Sequence, residues 1–375
     1  MQNNSDIIIS NQLLSGYSND TEVMTDAGWK LIKDINVGND LVMSLNHENG
    51  CIEMVNVFDS VSNQVNNELY HFYNRNMDFC VTKNQEMYRY SCQERISKTL
   101  SFIKANCIRK SHLLPLVNFS WKEGMHTEYF YLPSTKQLQQ YSRKEIQVPM
   151  KKIRMDDWLE FFGFYLADGC YRDHINSCGK RDYTISIAQN KVNEEYVLDL
   201  IKRIGFTCRI SPKGNDRKAN NYCIYSKQLW EYLSQFGRSQ DKYIPRSYMN
   251  LERNQLAVLL KGYMNGDSSR TQNCIRFSSV SKKLIDNIQE LLLKVHGFVT
   301  QVRKRKMKHS YDNGECIFYY ISVKLDRHHM NFSKYGIPEK IAYNDCVYNL
   351  VLDSNQIMLT RHNNIIGWGC SYFLK

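Results

Sequence analysis

Two stretches of this chain repeat one another, and each copy carries the same spacing between a glycine and an acid. The first copy opens with DDWLEFFGFYLADGC and the second with NQLAVLLKGYMNGDSS; Gly163 precedes Asp168 by five positions, and Gly262 precedes Asp267 by five. Behind each opening comes a strand-like stretch (YTISIAQNKV, CIRFSSVSKK). An amphipathic helical pattern follows, EEYVLDLIKRIGF or IDNIQELLLKVHGF, and each stops at a Gly-Phe pair, Gly205-Phe206 or Gly297-Phe298. Next is a hairpin pattern whose turn carries KGND or YDNGE. Gln189 lies 16 positions ahead of Gly205, and Ser281 lies 16 ahead of Gly297, so the register holds. Matching units of this length predict one domain with internal two-fold pseudosymmetry.

Both opening segments are apolar on nearly every face: Trp158, Leu159, Phe161, Phe162, Phe164, Tyr165 and Leu166 in one, Leu256, Val258, Leu259, Leu260, Tyr263 and Met264 in the other. Helices hydrophobic all round are buried. A glycine inside a helix costs about 0.5–1 kcal/mol, and close approach of two helix backbones would offset that cost. Helices packed through Gly163 and Gly262 would set Asp168 and Asp267 side by side at one end. Two adjacent carboxylates repel unless they share a proton or a cation, so a divalent metal suits the pair. The plainer reading of either aspartate is a turn residue closing a helix. Equal spacing in two copies weighs against it.

A chain of 375 residues has room for two domains, and 42% hydrophobic content with interspersed charge fits a globular protein. No apolar run approaches the roughly 20 residues of a membrane helix. The N-terminus MQNNSDIIIS lacks the basic segment of a signal peptide, so no membrane association and a cytoplasmic location (nuclear in a eukaryotic host) are expected. Twelve cysteines without a Cys-x-x-Cys pair argue against a zinc knuckle and for reduced thiols. The net charge of +11 suits a polyanionic partner without proving one.

The segments FGFYLADG and LKGYMNGDS resemble the paired motifs of the LAGLIDADG (DOD-type) homing endonucleases, and the resemblance runs through the repeat. It implies two αββαββα halves whose sheets straddle the major groove of double-stranded DNA. It also implies Mg²⁺, or Mn²⁺, held by the last acid of each motif, here Asp168 and Asp267. Ser268 stands where glycine is commoner, a small departure. DKYIP at 241–245 resembles the family's Lys-x-Ile-Pro segment and nominates Lys242 as a third catalytic residue; SKYGIP nominates Lys334 less directly. Base reading falls to the hairpin strands. In VRKRKMKHS, Arg303, Arg305 and Met307 alternate with Lys304, Lys306 and Lys308 on opposite faces, and the first copy offers Arg209, Lys213, Arg217 and Lys218. The plain alternative is a solvated charge run.

The flanks have an all-β pattern. DTEVMTDAGWKLIKDINVGNDLVMSL resembles the start of a Hint domain, the fold of inteins and hedgehog autoprocessing proteins. FCVTKNQEMY resembles the intein block with Thr-x-x-His, and CVYNLVLDSNQIMLTRHNNIIGWGCSY resembles the C-terminal strands of phage terminase-type inteins. The splicing positions depart from the pattern. Five residues before Thr21 is Gly16, with Ser15 one position off; Gln85 replaces the histidine after Thr82; Gly369 replaces the asparagine ahead of Cys370. Glutamine cannot titrate as imidazole does.

The expected architecture is α+β: an all-β Hint fold split by an inserted pseudo-two-fold LAGLIDADG domain. Residues 15–150 would form the N-terminal Hint part with a β-rich linker, 151–340 the endonuclease (repeats at about 156–245 and 254–338), and 341–375 the C-terminal Hint part. The expected activity is site-specific, metal-dependent double-strand cleavage at a long recognition site. The protein would act as a monomer, and its own Met1 suggests a free-standing, splicing-inactive endonuclease. The alternatives are a self-processing protein that retains splice-junction cleavage and a non-cutting, maturase-like DNA or RNA binder.

Overall fold

In the computed structural model the described residues are 15–74, 77–90, 100–109, 112–115, 119–138, 144–175, 179, 181–213, 216–308, 314–325, 329–331 and 338–373. They fall into two compact units. One holds the described residues within Met1–Glu123, Leu292–Val302 and Lys324–Lys375; the other spans Gly124–Leu291 and Arg303–Val323. Among the described residues no helix is long and apolar enough to cross a membrane.

Among the described residues the α-helices in chain order are α1 (Met155–Asp168), α2 (Glu194–Arg203), α3 (Lys227–Ser234), α4 (Arg246–Met249), α5 (Arg253–Asp267) and α6 (Lys282–His296). Hydrophobic residues all round α1 bury it from Trp158 to Leu166. Trp158 stacks on Phe130 at 4.0 Å, and Phe162 meets Phe236 and Tyr248 edge-on. Behind α1 lies a four-stranded sheet in the order Gly169–Tyr171, Thr184–Asn190, Asp216–Tyr225, Arg209–Lys213. Behind α5 lies another with the same order: Ser268–Thr271, Cys274–Ser279, Glu315–Lys324, Val302–Lys308. Strand alternation buries Ile185, Ile187, Tyr222 and Ile224 in the first sheet and Phe277, Ile321 and Val323 in the second.

Two expectations need correction. The first copy is αββαββα, ending in α3, but among the described residues no helix follows Glu315–Lys324; His329–Asn331 is a strand paired with Leu113–Pro115. The boundary set at 150/151 also moves. Tyr129–Leu132 pairs antiparallel with Lys151–Arg154, and Gln228 Nε2 donates to the carbonyls of Pro133 (2.8 Å) and Pro149 (2.9 Å), so residues 124–150 belong with the helices. At the other end the described residues from Lys324 to 340 group with the β unit.

Among the described residues that unit contains fourteen strands in one connected sheet. Its longest pairing joins Cys51–Asn74 to Glu339–Leu352. Ile357–His362 turns back into Ile365–Cys370 through Asn363 (φ 48°) and Asn364 (φ 66°), the left-handed pair that a tight hairpin demands and asparagine tolerates. Tyr17, Val23, Val42, Phe72, Phe79, Leu350 and Met358 are among its buried core.

Candidate metal centre

α1 and α5 touch backbone to backbone. A β-carbon on Gly163 would stand 2.2 Å from the carbonyl oxygen of Leu259, and one on Gly262 would stand 2.2 Å from that of Glu160. Further along, one on Gly266 would meet Ala167 Cβ at 2.4 Å and Asp168 Oδ2 at 2.8 Å. Three glycines therefore let the helices run together to their C-terminal ends, where Asp168 and Asp267 are the last residues. The contact is clamped by Glu160, a buried carboxylate that binds Arg203 (2.7 Å) of α2 and Lys261 (2.9 Å) of α5. Burial alone would raise the Glu160 pKa; the two cations outweigh it and hold it below the usual range.

The two terminal carboxylates feel each other. Burial, and then the charge of Asp168, push Asp267 up to about 7, with Lys242 pulling the other way. Gln189 Nε2 donates to Asp168 Oδ2 at 2.8 Å, fixing that side chain from the strand Thr184–Asn190. Sequence reasoning used Gln189 only as a register mark. Its signal was a polar residue sharing strand parity with buried Ile185 and Ile187. By strand pairing (Gly169↔Ile187, Ser268↔Phe277) the second copy has Ser279 at that position, not the Ser281 that equal spacing to the helix stop had matched to it, so the two halves differ.

Lys242 is placed differently from the expectation of a charge beside the scissile phosphate. It is buried, and its Nζ donates to the carbonyls of Tyr165 (3.0 Å), Leu166 (2.9 Å) and Gly169 (2.7 Å). An ammonium has three donors, and all three are spent on the end of α1. Burial lowers its pKa to about 8, against the opposing pull of Asp267, Cys170 and Asp168. The DKYIP segment is tied down in turn: Ser281 Oγ donates to the Lys242 carbonyl (2.6 Å), and Ile244 N donates to Asn287 Oδ1 (2.9 Å). Lys242 thus positions the helix end that carries Asp168. Lys334 lies outside the described residues.

The donor set fits a hard divalent ion, which takes oxygen ligands and in the case of Mg²⁺ binds through one or two carboxylates plus phosphate. A stability test follows from the Asp267 shift. A carboxyl whose folded pKa exceeds its unfolded value stabilises the fold below the unfolded pKa, and that stability is lost as pH rises through the folded pKa. Metal-free protein should therefore lose stability between pH 4 and pH 7, by roughly 2–4 kcal/mol. Asp267→Asn should remove that slope and be the more stable chain at pH 8, and Mg²⁺ should restore the wild type. Urea unfolding at pH 5 and pH 8 measures it; equal slopes for the two chains would refute the coupling.

The basic residues lie on the hairpin strands. Arg209 is exposed opposite Cys223, and Lys218 is exposed on the neighbouring strand. In the second sheet Arg303 is half-buried, whereas Lys304, Arg305 and Lys306 are exposed. Arg305 stacks over Phe318 at 5.0 Å, and Arg276 lies 5.3 Å over Tyr320, so cations and aromatics share the face opposite Ile321 and Val323. Lys306 pairs with Glu315 at 3.4 Å. The side chains of Lys213, Arg217 and Lys308 lie outside the described residues. Arg276, Phe318 and Tyr320 had no place in the sequence reading because only strand pairing puts them beside Arg305.

Ser15, Thr82, Gln85, Gly369 and Cys370, the positions set against the intein pattern, also come together, in the β unit. Ser15 Oγ donates to Gln85 Oε1 (2.9 Å), Gly16 N donates to Thr82 Oγ1 (3.1 Å), and Gln85 Nε2 donates to the Cys370 carbonyl (2.8 Å). Asn349 Nδ2 donates to Gln85 Oε1 (3.1 Å), and Tyr17 Oη donates to the Cys370 carbonyl (2.9 Å). Burial pushes the Cys370 thiol well above its ordinary pKa. A β-carbon on Gly369 would stand 2.4 Å from Tyr17 Oη.

The chain is 26% identical over 289 residues to the ATP-dependent Clp protease proteolytic subunit of Chlamydomonas moewusii, covering 74% of this chain and 27% of that protein. It is 24% identical over 402 residues to the DNA-directed RNA polymerase subunit beta C-terminal section of Stigeoclonium helveticum, covering 93% of this chain and 36% of that protein. The chain thus spans about a third or less of each of these two relatives. A structure of the homing endonuclease I-DmoI in complex with DNA and Mn overlaps 46% of this chain and 90% of that one, at 15% identity and a TM-score of 0.33, too slight to assign a fold. Residues 254–329, which span nearly all of α5, the Asp267 carboxylate and most of the second copy, match the family of LAGLIDADG-like domains.

Proposed function

We propose that the chain is a site-specific double-strand DNA endonuclease of the LAGLIDADG homing type, working with Mg²⁺ or Mn²⁺. Its β unit would be a Hint-type shell that no longer splices. The observation that carries this reading is the juxtaposition of Asp168 and Asp267 at the ends of two helices in glycine-mediated backbone contact. The family match of residues 254–329 supports it. So does the kind of relative found. A protease subunit and a polymerase subunit share no activity, yet this chain matches about a third or less of each, as an element inserted into unrelated hosts would.

Asp168 and Asp267 would hold the divalent ions. Those ions, when bound, supply charge neutralisation at the phosphoryl group and at the attacking and leaving oxygens. Gln189 would orient Asp168, and Lys242 would hold the helix end beneath it. Arg209, Arg303, Arg305 and Arg276 would present planar donors to base edges or phosphates, with Lys304, Lys306 and Lys218 neutralising the backbone. Incubating the full chain with a randomised duplex library and Mg²⁺, then sequencing cut ends, tests the reading. One long site cut on both strands is the expected result; an intact library would sink it.

A self-processing protein is the second reading, and the cluster around Gln85 speaks against it. Gly369→Asn, alone or together with Gln85→His, is expected to purify at full mass, because an asparagine side chain at 369 collides with Tyr17 Oη. Mass spectrometry that finds a fragment lacking either end would revive self-processing.

A further inference from the structure

Away from the carboxylate pair, the β unit gathers two imidazoles on one carboxylate oxygen. His71 Nε2 and His362 Nδ1 point at Asp78 Oδ1, at 2.8 and 2.6 Å, and the three donor atoms lie within 4.8 Å of one another. They come from three strands: Cys51–Asn74, Met77–Val81 and Ile357–His362. Two of the three donors are also oriented from behind. The other ring nitrogen of His362 meets Asp20 Oδ2 at 3.1 Å, and Ser18 Oγ donates to Asp20 Oδ1 at 2.6 Å. The second oxygen of Asp78 accepts from Asn363 Nδ2 at 3.0 Å, which leaves Oδ1 for the cluster.

We infer that His71 Nε2, Asp78 Oδ1 and His362 Nδ1 form a zinc site, with Asp20 and Asn363 as its outer support and solvent in the fourth position. A ligating histidine nearly always gives its other N–H to a carboxylate or carbonyl, and Asp20 occupies that place for His362. Two imidazoles and a carboxylate are a donor set that zinc accepts, with one position left open. Tetrahedral donors about 2.0–2.2 Å from zinc stand roughly 3.4 Å from each other, so on binding the cluster must open by about 0.6 Å between His71 and Asp78 and by about 0.8 Å between Asp78 and His362. His71 can supply the first movement, because its side chain is 20% exposed, and that opening gives the ion a way in; the second falls to His362, the last residue of its strand beside the Asn363-Asn364 turn. The bound ion would tie the paired strands Cys51–Asn74 and Met77–Val81 to the hairpin that turns at Asn363-Asn364.

The test uses the full chain carrying Asp168→Asn and Asp267→Asn, so that the other carboxylate pair cannot take the metal. Titration with Co²⁺ as the spectroscopic stand-in should show tetrahedral visible bands saturating at about one equivalent, displaced by Zn²⁺. Asp20→Asn should weaken binding about 10–100-fold, and His362→Ala should abolish the bands. Should His362→Ala fail to fold, the partly exposed His71→Ala gives the same readout. An absence of bands in the parent chain, an ion-pair network only, overturns the site. So does unchanged binding in His71→Ala, or a near-ultraviolet thiolate band that places the ion on cysteine. No residue is shared with the Asp168–Asp267 pair, so failure here leaves the nuclease reading standing.

Discussion

Asp168→Asn and Asp267→Asn should each slow strand cleavage by a factor on the order of 10³, several kcal/mol of transition-state stabilisation at about 1.4 kcal/mol per decade. Duplex binding should be nearly unchanged, because asparagine keeps the carboxylate's shape and adds no bulk where Gly266 makes room for Asp168. In the proposed reading, binding would rest on the cationic sheet faces, which both variants leave untouched. Single-turnover cleavage and a gel-shift titration on the same duplex separate the two effects. Cleavage by both variants at the wild-type rate would remove the pair from the mechanism. Loss of binding together with cleavage would show that the aspartates hold the fold rather than the metal.

Gly163→Ala and Gly262→Ala should each destabilise the helical unit by about 3 kcal/mol, at the upper end of overpacking costs. In an ordinary helix the same change gains about 0.5–1 kcal/mol, so the expected sign is reversed. The reason is what the new methyl meets: a backbone carbonyl 2.2 Å away, on a partner helix that cannot step aside without dragging its own hydrogen bonds. The two substitutions act at one crossing, so the double variant should cost less than the sum of the singles. Urea unfolding of the three chains decides the matter. A neutral or stabilising result at either glycine would mean that the helices do not touch there.

What the sequence disclosed and what it withheld divide along a physical line. The glycine-to-aspartate spacing was legible because both residues sit on one helix and helical geometry converts spacing into placement. The hairpins and the Gly205 and Gly297 helix stops were legible for the same local reason; both glycines adopt positive φ. Lys242 was found by its motif, but a motif names a residue without saying where its Nζ points, and the contacts with the end of α1 came from tertiary structure. The boundary at 150 failed because the strands Tyr129–Leu132 and Lys151–Arg154 are tied by pairing across a polar stretch with no signature of its own. Gln189 went unread as a partner of Asp168, and the His71–Asp78–His362 cluster spans residues whose proximity only tertiary structure creates.

The amide at position 85 leaves the chain with two centres that answer differently to acidity. Around Gln85, Ser15, Asn349 and the Cys370 carbonyl nothing gains or loses a proton between mild acid and mild base, so this clasp between distant parts of the β unit keeps its strength throughout. The carboxylate pair, with Asp267 near 7, is set to respond across that same range. Without a metal ion, a drop of one or two pH units would protonate that pair while the clasp keeps its bonds.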